Sequence, residues 1–263
     1  MNENYFEHFK IGKSCVSNTN PEDAIAKIET AVKNGLNAYV CVTNMRMVRY
    51  ANRNENENYL KIMNNSYMNL PDGTPLVWCG RLWGLKKIQC TSGPKLFQAL
   101  LKKTDNGIKH YLLGDTDETL DKIVKKYTTQ YKSNIVGAFS PPFIDVDDFN
   151  YKKLAEKINK SNADIVWVSM RAPKQDFFSK KISPLLENKI CISVGRGFRI
   201  ASGDVKEAPE KLQKFGFSGM FSRRVSLYKT LQFYFITSFY LAFYMIKIVL
   251  LRLTKKKLKG KIQ

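Results

Sequence analysis

Apolar residues recur along this chain in two alternating patterns. Between Pro21 and Asn34 they return every three or four residues, which predicts a helix that Gly35 ends. Ala38–Val42 is instead continuously apolar, as a short buried strand is. Further helices are predicted near 56–66, 74–83, 92–103 and 117–127, from about 147, and between 168 and 190. Further strands are predicted at 111–114, 135–139, 165–168 and 190–194.

This alternation predicts an α/β fold with a Rossmann-like, largely parallel sheet flanked by helices. Ligands of such sheets bind beyond the carboxyl ends of the strands. Several polar or glycine positions directly follow predicted strands, and we expect them to meet on one rim. They are Thr43, Asn44, Asp72, Gly114 and residues 169–175.

Asp72 lies in the stretch MNLPDGTPLVW, which begins at Met68. Pro-Asp-Gly alone is an ordinary turn, and Asp-Gly between two strands would make a hairpin. Pro75 fits poorly in a hairpin strand but well in the first turn of a helix, with Thr74 as N-cap. We therefore expect Asp72 to follow a strand and precede a helix. Gly73 beside it allows the backbone to approach a ligand closely.

The chain changes character near its C-terminus. Residues 1–205 form the predicted α/β domain, and 206–263 form a basic appendage with a membrane-associating helix at about 229–253. In Phe233–Leu253 only Thr237, Ser238, Lys247 and Arg252 are polar, and they share no single face. Such a helix is either buried in protein or in contact with lipid. Tyrosines and lysines at its ends suit anchoring at a membrane interface. Basic residues flank both ends, which favours in-plane or shallow insertion over spanning, and a soluble core helix is the remaining alternative.

The charge of the chain points to anionic partners. It carries 43 Lys or Arg against 23 Asp or Glu, and residues 206–263 hold 13 of the former against 2 of the latter. Phosphates, nucleic acid and anionic membranes all fit such a balance. These basic residues flank an apolar segment rather than alternating with stacking aromatics, so we expect membrane lipids as a partner and no nucleic acid.

Cysteine and histidine offer little chemistry. The five cysteines are scattered without a C-x-x-C pair, which favours a reduced, cytoplasmic setting, and the N-terminus has no apolar core of the signal-peptide kind. Of the two histidines, His110 opens an apolar run and is expected to be structural. Acid–base work then falls to carboxylates. The strings Asp115–Asp117 and Asp145–Asp147 are expected to cap helices, and no metal or other cofactor is expected.

Short motifs follow one another in a definite order within residues 35–225. They are Val42-Thr43-Asn44, Asp72-Gly73, Gly93-Pro94 with Leu96, Leu112-Leu113-Gly114, Ala172-Pro173-Lys174-Gln175-Asp176, Val194-Gly195-Arg196-Gly197-Phe198, Ala201-Ser202-Gly203 and Glu207-Ala208-Pro209. In this order they resemble the WecG/TagA/CpsF family of bacterial glycosyltransferases, with its Thr-x-Asn, Asp-Gly, Gly-x-Pro-Lys-Gln-Glu and Gly-Gly-x-Phe-Asp motifs.

The resemblance implies inverting transfer of a sugar from a UDP-sugar donor to a polyprenyl-diphosphate-linked sugar. N-acetylmannosamine or its uronic acid is the sugar transferred by known members, in teichoic acid or surface polysaccharide synthesis at the cytoplasmic face of the membrane. By resemblance Asp72 is the general base, and Asn44 and Gln175 line the pocket. The other candidate substrate-binding residues are Thr43, Lys174, Gly195, Gly197, Arg223 and Arg224, the two arginines for the acceptor's pyrophosphate.

The chain departs from the family pattern at several points. Either Val42 or Thr43 stands at the family's threonine position, and an arginine of the family falls near Cys90 here. A non-catalytic nucleotide-sugar-binding or scaffold protein on the same fold is therefore the alternative function. Whether the chain forms a homo-oligomer stays open.

Overall fold

The computed structural model describes residues 7–105, 107–207, 209 and 227–259. Its strands are β1 His8–Ile11, β2 Ser14–Ser17, β3 Ala38–Thr43, β4 Met68–Pro71, β5 His110–Gly114, β6 Ile135–Phe139, β7 Ile165–Ser169 and β8 Ile190–Ser193. Its helices are α1 Pro21–Lys33, α2 Met45–Ala51, α3 Glu57–Asn64, α4 Thr74–Leu82, α5 Gly93–Lys102, α6 Asp117–Tyr131, α7 Tyr151–Lys160, α8 Lys174–Ile182, α9 Gly197–Ser202 and α10 Leu227–Lys259.

Six strands form one parallel sheet in the order β4-β3-β8-β7-β5-β6. Its central strands β5, β7 and β8 are buried along their whole length, as strands covered by helices on both faces are. The α/β prediction is confirmed. His110 at the start of β5 is buried and accepts a hydrogen bond at Nδ1 from the indole N–H of Trp167 at 3.1 Å, which is the structural role predicted for it.

The parallel register aligns the carboxyl ends of the strands. Thr43 at the end of β3 pairs with Pro71 at the end of β4, and Gly114 of β5 pairs with Ser169 of β7. The loops that leave these strands therefore lie along one edge, which we call the rim: Thr43–Asn44, Asp72–Gly73, Gly114–Thr116, Ser169–Lys174 and Val194–Gly197. Gly114 must be glycine, because a Cβ there would lie 2.2 Å from the carbonyl oxygen of Ser169.

A hairpin of β1 and β2 precedes the sheet and was not predicted, because its strands have only four residues each. Asn52, at the end of α2, ties it down: its amide donates to the Ser14 hydroxyl at 2.8 Å and its Oδ1 accepts from the Lys13 N–H at 2.6 Å. The hairpin thus packs beside α2, with Phe9 and Ile11 in a cluster that also holds Val48 and Leu76.

Several predicted helix caps are wrong. Thr74 is the first residue of α4, and Gly73 is the cap residue. Thr116 caps α6 through its side chain, and α7 begins at Tyr151 after the cap Asn150 rather than near 147. The aspartates of the two Asp-x-Asp strings do not cap: Asp115 bonds to Arg199 at 3.0 Å, and Asp147 pairs with Lys181. The side chains of Thr and Asn accept hydrogen bonds from the same free N–H groups as that of Asp. Because Thr116 and Asn150 lie close to these aspartates, the sequence alone did not decide which residue caps each helix.

Helix α10 packs along α2 and α4 through one stripe of side chains. Ile248 is 2% exposed, and Tyr240, Leu241, Tyr244 and Met245 pack around the same cluster as Val48 and Leu76. A guanidinium N–H of Arg252 donates to the carbonyl of Leu82.

The other faces of α10 carry large apolar side chains into solvent, among them Phe235, Ile236, Phe239, Phe243, Ile246, Leu250 and Leu253. Its segment Phe235–Thr254 is long and apolar enough to cross a membrane, and only 6% of the most apolar stretch is buried in the protein. The alternative of a soluble core helix is therefore wrong. The apolar character predicted for this segment is confirmed, with a helix longer than expected at both ends.

Candidate functional site

Asp72 occupies the turn between β4 and α4. Its backbone N–H donates to the carbonyl of Thr43 at 2.7 Å, so the turn is joined to the neighbouring strand β3. Gly73 has φ +106, a conformation that disfavours any residue with a Cβ, and its N–H donates to the Cys90 sulfur at 3.0 Å. The backbone on both sides of Asp72 is thereby fixed, and its carboxyl group is half-buried at the rim.

The environment of Asp72 suits a general base. Burial raises the pKa of its carboxyl group to about 6, and the positive charge of Arg196 opposes that rise. A base whose pKa lies closer to neutrality accepts a proton more readily while it is still largely ionised at pH 7. Desolvation, and then the charge of Asp72, raises the pKa of the Cys90 thiol to about 11, so this neighbour stays neutral.

Thr43 and Asn44 stand next to the Asp72 turn, as predicted. Thr43 is fully buried, and its hydroxyl oxygen has no hydrogen-bond partner among the described residues. Asn44 caps α2, where its side chain accepts from the Met47 N–H at 3.2 Å. The cap therefore occupies the side-chain oxygen of Asn44, and the NH2 group is the part of the side chain that a ligand could use.

Gln175 is 2% exposed and acts on the backbone of the rim. Its Oε1 accepts from the N–H of Gly195 at 2.9 Å, and the Ser169 hydroxyl donates to the carbonyl of the same glycine at 2.7 Å. Gly195 has φ +57, and Gly197 begins α9. The structure thus brings three predicted residues together, with Gln175 holding the turn that Gly195 and Gly197 form.

Lys174 points away from Asp72 toward the loop that follows β6. Its ammonium group donates to the Ile144 carbonyl and lies 5.2 Å and 5.4 Å from the ring centres of Phe143 and Phe149. Phe143 is fully exposed at the tip of this loop. Lys174 therefore shapes a neighbouring part of the rim. Arg223 and Arg224 lie outside the described residues.

A buried carboxylate that the sequence did not single out lies directly after Gln175. Asp176 is 1% exposed, and its Oδ2 accepts from the Tyr59 hydroxyl at 2.7 Å. Burial raises the pKa of Asp176 to about 6, and hydrogen bonding from Tyr59 is the largest opposing effect. The two residues are 117 positions apart, so no local pattern could have linked them.

Arg196 is the other rim residue that the motifs contain but the candidate set omitted. It is exposed on the turn between β8 and α9 and influences Asp72 electrostatically. Its position between two glycines was the signal, since a charged side chain on so tight a turn after a strand faces the rim. Within the described part of the chain, no group of three or more His, Cys, Asp or Glu side chains is placed to hold a metal ion.

Two curated proteins share this sequence pattern over part of their length. An N-acetylglucosaminyldiphosphoundecaprenol N-acetyl-beta-D-mannosaminyltransferase of Bacillus spizizenii is 25% identical over 168 residues, which cover 64% of this chain and 64% of that protein. A protein of the same name from Bacillus subtilis is 25% identical over 156 residues, 59% of each chain. The chain thus matches somewhat less than two thirds of the length of either relative.

A family model extends the similarity over nearly the whole chain. The glycosyl transferase WecG/TagA/CpsF model matches residues 9–256, a range that includes the sheet, the rim and most of α10. The chain therefore belongs to the WecG/TagA/CpsF family of glycosyl transferases.

Proposed function

We propose that the protein is an inverting glycosyltransferase that moves an N-acetylmannosamine-like sugar, or its uronic acid, from a UDP-sugar to a polyprenyl-diphosphate-linked sugar. The observation that carries the proposal is Asp72: a half-buried carboxyl group with a pKa of about 6, fixed between β4 and α4 at the carboxyl edge of a parallel sheet. The two relatives, by their names, use an undecaprenyl-diphosphate-linked acceptor.

The proposed reaction is a single displacement. The acceptor hydroxyl oxygen forms a bond to the anomeric carbon of the donor while the bond from that carbon to the diphosphate oxygen breaks. The electron pair of the broken bond leaves with UDP, and the hydroxyl proton passes to Asp72. One base is sufficient for this chemistry, and attack opposite to the leaving group inverts the anomeric centre.

Neighbouring residues are proposed to bind the substrates and to position the rim. The NH2 group of Asn44 is proposed to contact the donor, because Asn44 follows Thr43, whose carbonyl accepts from the N–H of Asp72. Thr43 is fully buried and is proposed to support this part of the substrate site from beneath. Gln175 is proposed to act by fixing the Gly195 turn. Arg223 and Arg224 are proposed from the family resemblance to bind the acceptor's pyrophosphate.

Helix α10 is proposed to place the enzyme on the cytoplasmic face of the membrane, in plane rather than across the bilayer. The side of α10 that carries Ile248 and Arg252 is held against α2 and α4. If α10 spanned the bilayer, these two helices would have to enter the lipid with it. The opposite side presents aromatic and aliphatic side chains such as Phe239 and Phe243. One docked side and one apolar exposed side are typical of an interfacial helix.

The test is a transfer assay with full-length protein, a panel of UDP-sugars and short-chain lipid-diphosphate-linked N-acetylglucosamine, analysed by mass spectrometry and by NMR of the product anomer. We expect one added N-acetylhexosamine or uronic acid, with inverted configuration. A protein that binds UDP-sugars without turnover would instead be the non-catalytic alternative. A product of retained configuration would contradict the single displacement.

A further inference from the structure

The turn that carries Arg196 is held rigidly while its side chain stays exposed. The N–H of Gly195 donates to Gln175, the Gly195 carbonyl accepts from Ser169, and the N–H of Gly197 donates to the Val194 carbonyl at 3.0 Å. The backbone is therefore bonded on both sides of Arg196, which is exposed. A side chain on such a fixed base loses less freedom when it binds a ligand.

One segment joins this turn to the Asp72 turn. Cys90 accepts from the N–H of Gly73 at 3.0 Å, and the N–H of Thr91 donates to the Pro71 carbonyl at 2.8 Å. Two residues later, Gly93 lies so close to Val194 that an added Cβ would be 3.3 Å from the valine backbone. Residues 90–93 thus form one wall, with Asp72 at one end and the Arg196 turn at the other.

The sheet sets the distance between the two turns. Strand β3 separates β4, which ends before Asp72, from β8, which ends before Arg196. Neighbouring strands lie about 4.8 Å apart, so the two strand ends are separated by about 10 Å. That gap has the width of a sugar diphosphate, and the charge of Arg196 acts across it on Asp72.

The position of Arg196 sets it apart from two other cations of the rim. The ammonium group of Lys174 is bonded to the Ile144 carbonyl in the loop after β6, and the guanidinium of Arg199 lies 3.0 Å from the Asp115 carboxylate in the loop after β5. Arg196 follows β8, on the Asp72 side of the sheet, and carries a guanidinium suited to two oxygens of a phosphate.

We propose that Arg196 binds the diphosphate of the nucleotide-sugar donor beside Asp72 and so stabilises the leaving group as its bond to the sugar breaks. The inference rests on the proposed function and adds a donor-binding residue to it. The electron pair of the breaking bond moves onto a diphosphate oxygen, and a guanidinium at that place meets the charge as it develops. Cys90, at the Asp72 end of the wall, is a neutral thiol, and Arg196 supplies a positive charge from the other end.

The experiment measures binding of UDP and of uridine to full-length protein by calorimetry. The variants are Arg196→Ala, Arg196→Lys and the double variant Arg196→Ala/Cys90→Arg. Arg53→Ala is the matched control, because it also removes one exposed arginine, whose ion pair with Glu55 at 3.8 Å is weak. Thermal unfolding checks each variant for folding.

We expect Arg196→Ala to weaken UDP binding by about tenfold or more, the scale of a charge-assisted contact, and to leave uridine binding within about twofold of wild type. Arg196→Lys should lose less UDP affinity than Arg196→Ala, and Arg53→Ala should bind UDP as wild type does. The double variant should recover part of the UDP affinity. Unchanged UDP affinity in Arg196→Ala would overturn the inference while the proposed function stands. Wild-type protein that binds no UDP would overturn both.

Discussion

The rim of the sheet and helix α10 use exposed groups in opposite ways. At the rim the polar side chains of Asp72 and Arg196 stand on a backbone fixed by hydrogen bonds, one of them to the buried Gln175, and the apolar residues lie behind them in the core. On α10 the apolar residues themselves face outward. The rim is therefore suited to binding a polar ligand, and the exposed side of α10 is suited to contact with an apolar surface.

The two regions also differ in what a substitution should change. Substitution of a half-buried polar residue of the rim should change ligand binding and turnover and should have little effect on the fold. On α10 the outcome should depend on the side of the helix, since Ile248 is 2% exposed and Ile246 is 61% exposed. Four substitutions follow. The two on α10 have matched controls, one on the exposed side of the helix and one on the rim.

The largest effect is expected for Asp72→Asn. Removing the base should lower turnover by about 10² or more, while UDP binding, measured by calorimetry, and liposome binding stay within about twofold of wild type. The free energy of unfolding at pH 7 should not fall. The pKa of Asp72 is about 6 in the folded protein and 3.8 ordinarily, so its ionisation destabilises the folded state as the pH rises from about 4 to 6, and that cost is fully present at pH 7. Turnover equal to wild type would remove Asp72 from the reaction.

Ile248→Ala should destabilise the protein by about 2–4 kcal/mol, because it opens a cavity between α10 and the cluster of Val48 and Leu76. Ile246→Ala is the matched control on the exposed side and should change the free energy of unfolding by about 0.5 kcal/mol or less. Denaturant unfolding followed by circular dichroism measures both. Equal effects at the two positions would mean that α10 is not docked as described.

Phe239→Glu should weaken binding to anionic liposomes by about tenfold or more, since burial of one phenylalanine in an apolar phase contributes about 1.5–3 kcal/mol. Phe143→Glu is the matched control: it makes the same exchange at a fully exposed phenylalanine of the rim. Co-sedimentation with liposomes at low and high salt measures the affinity of both variants. If Phe143→Glu lost as much binding as Phe239→Glu, charge rather than the α10 surface would govern attachment.

Tyr59→Phe should destabilise the protein by about 1–3 kcal/mol, because it leaves Oδ2 of the buried Asp176 without its donor at 2.7 Å. The loss should be larger above pH 6 than below it. The unpaired oxygen is most costly when Asp176 is ionised, and its pKa in the folded protein is about 6. Chemical unfolding at pH 5 and pH 8 measures the difference. Tyr50→Phe serves as the control, because the ring of Tyr50 packs against that of Tyr59 at 5.4 Å between ring centres.

The sequence predicted the parallel sheet because its strands are continuous apolar runs separated by amphipathic helices, and both patterns are local. It also predicted that Asp72, Thr43 and Asn44 would meet, since strand ends converge in any such sheet. It did not predict the bond between Tyr59 and Asp176, which depends on how α3 packs on α8 across 117 residues. Nor could it choose Thr116 over Asp115 or Asp117 as a cap, because Thr and Asp both accept hydrogen bonds from the same N–H groups.

The central claim is that the Asp72 carboxylate takes the acceptor's proton, and the pH dependence of kcat/KM tests it most directly. Below about pH 6 the rate should fall about tenfold per pH unit in the wild type, as Asp72 becomes protonated. Asp176 titrates near the same pH, so Asp176→Asn must be compared with Asp72→Asn. The account predicts that the fall persists in Asp176→Asn and disappears in the residual activity of Asp72→Asn. A fall that persists in Asp72→Asn and disappears in Asp176→Asn would contradict it.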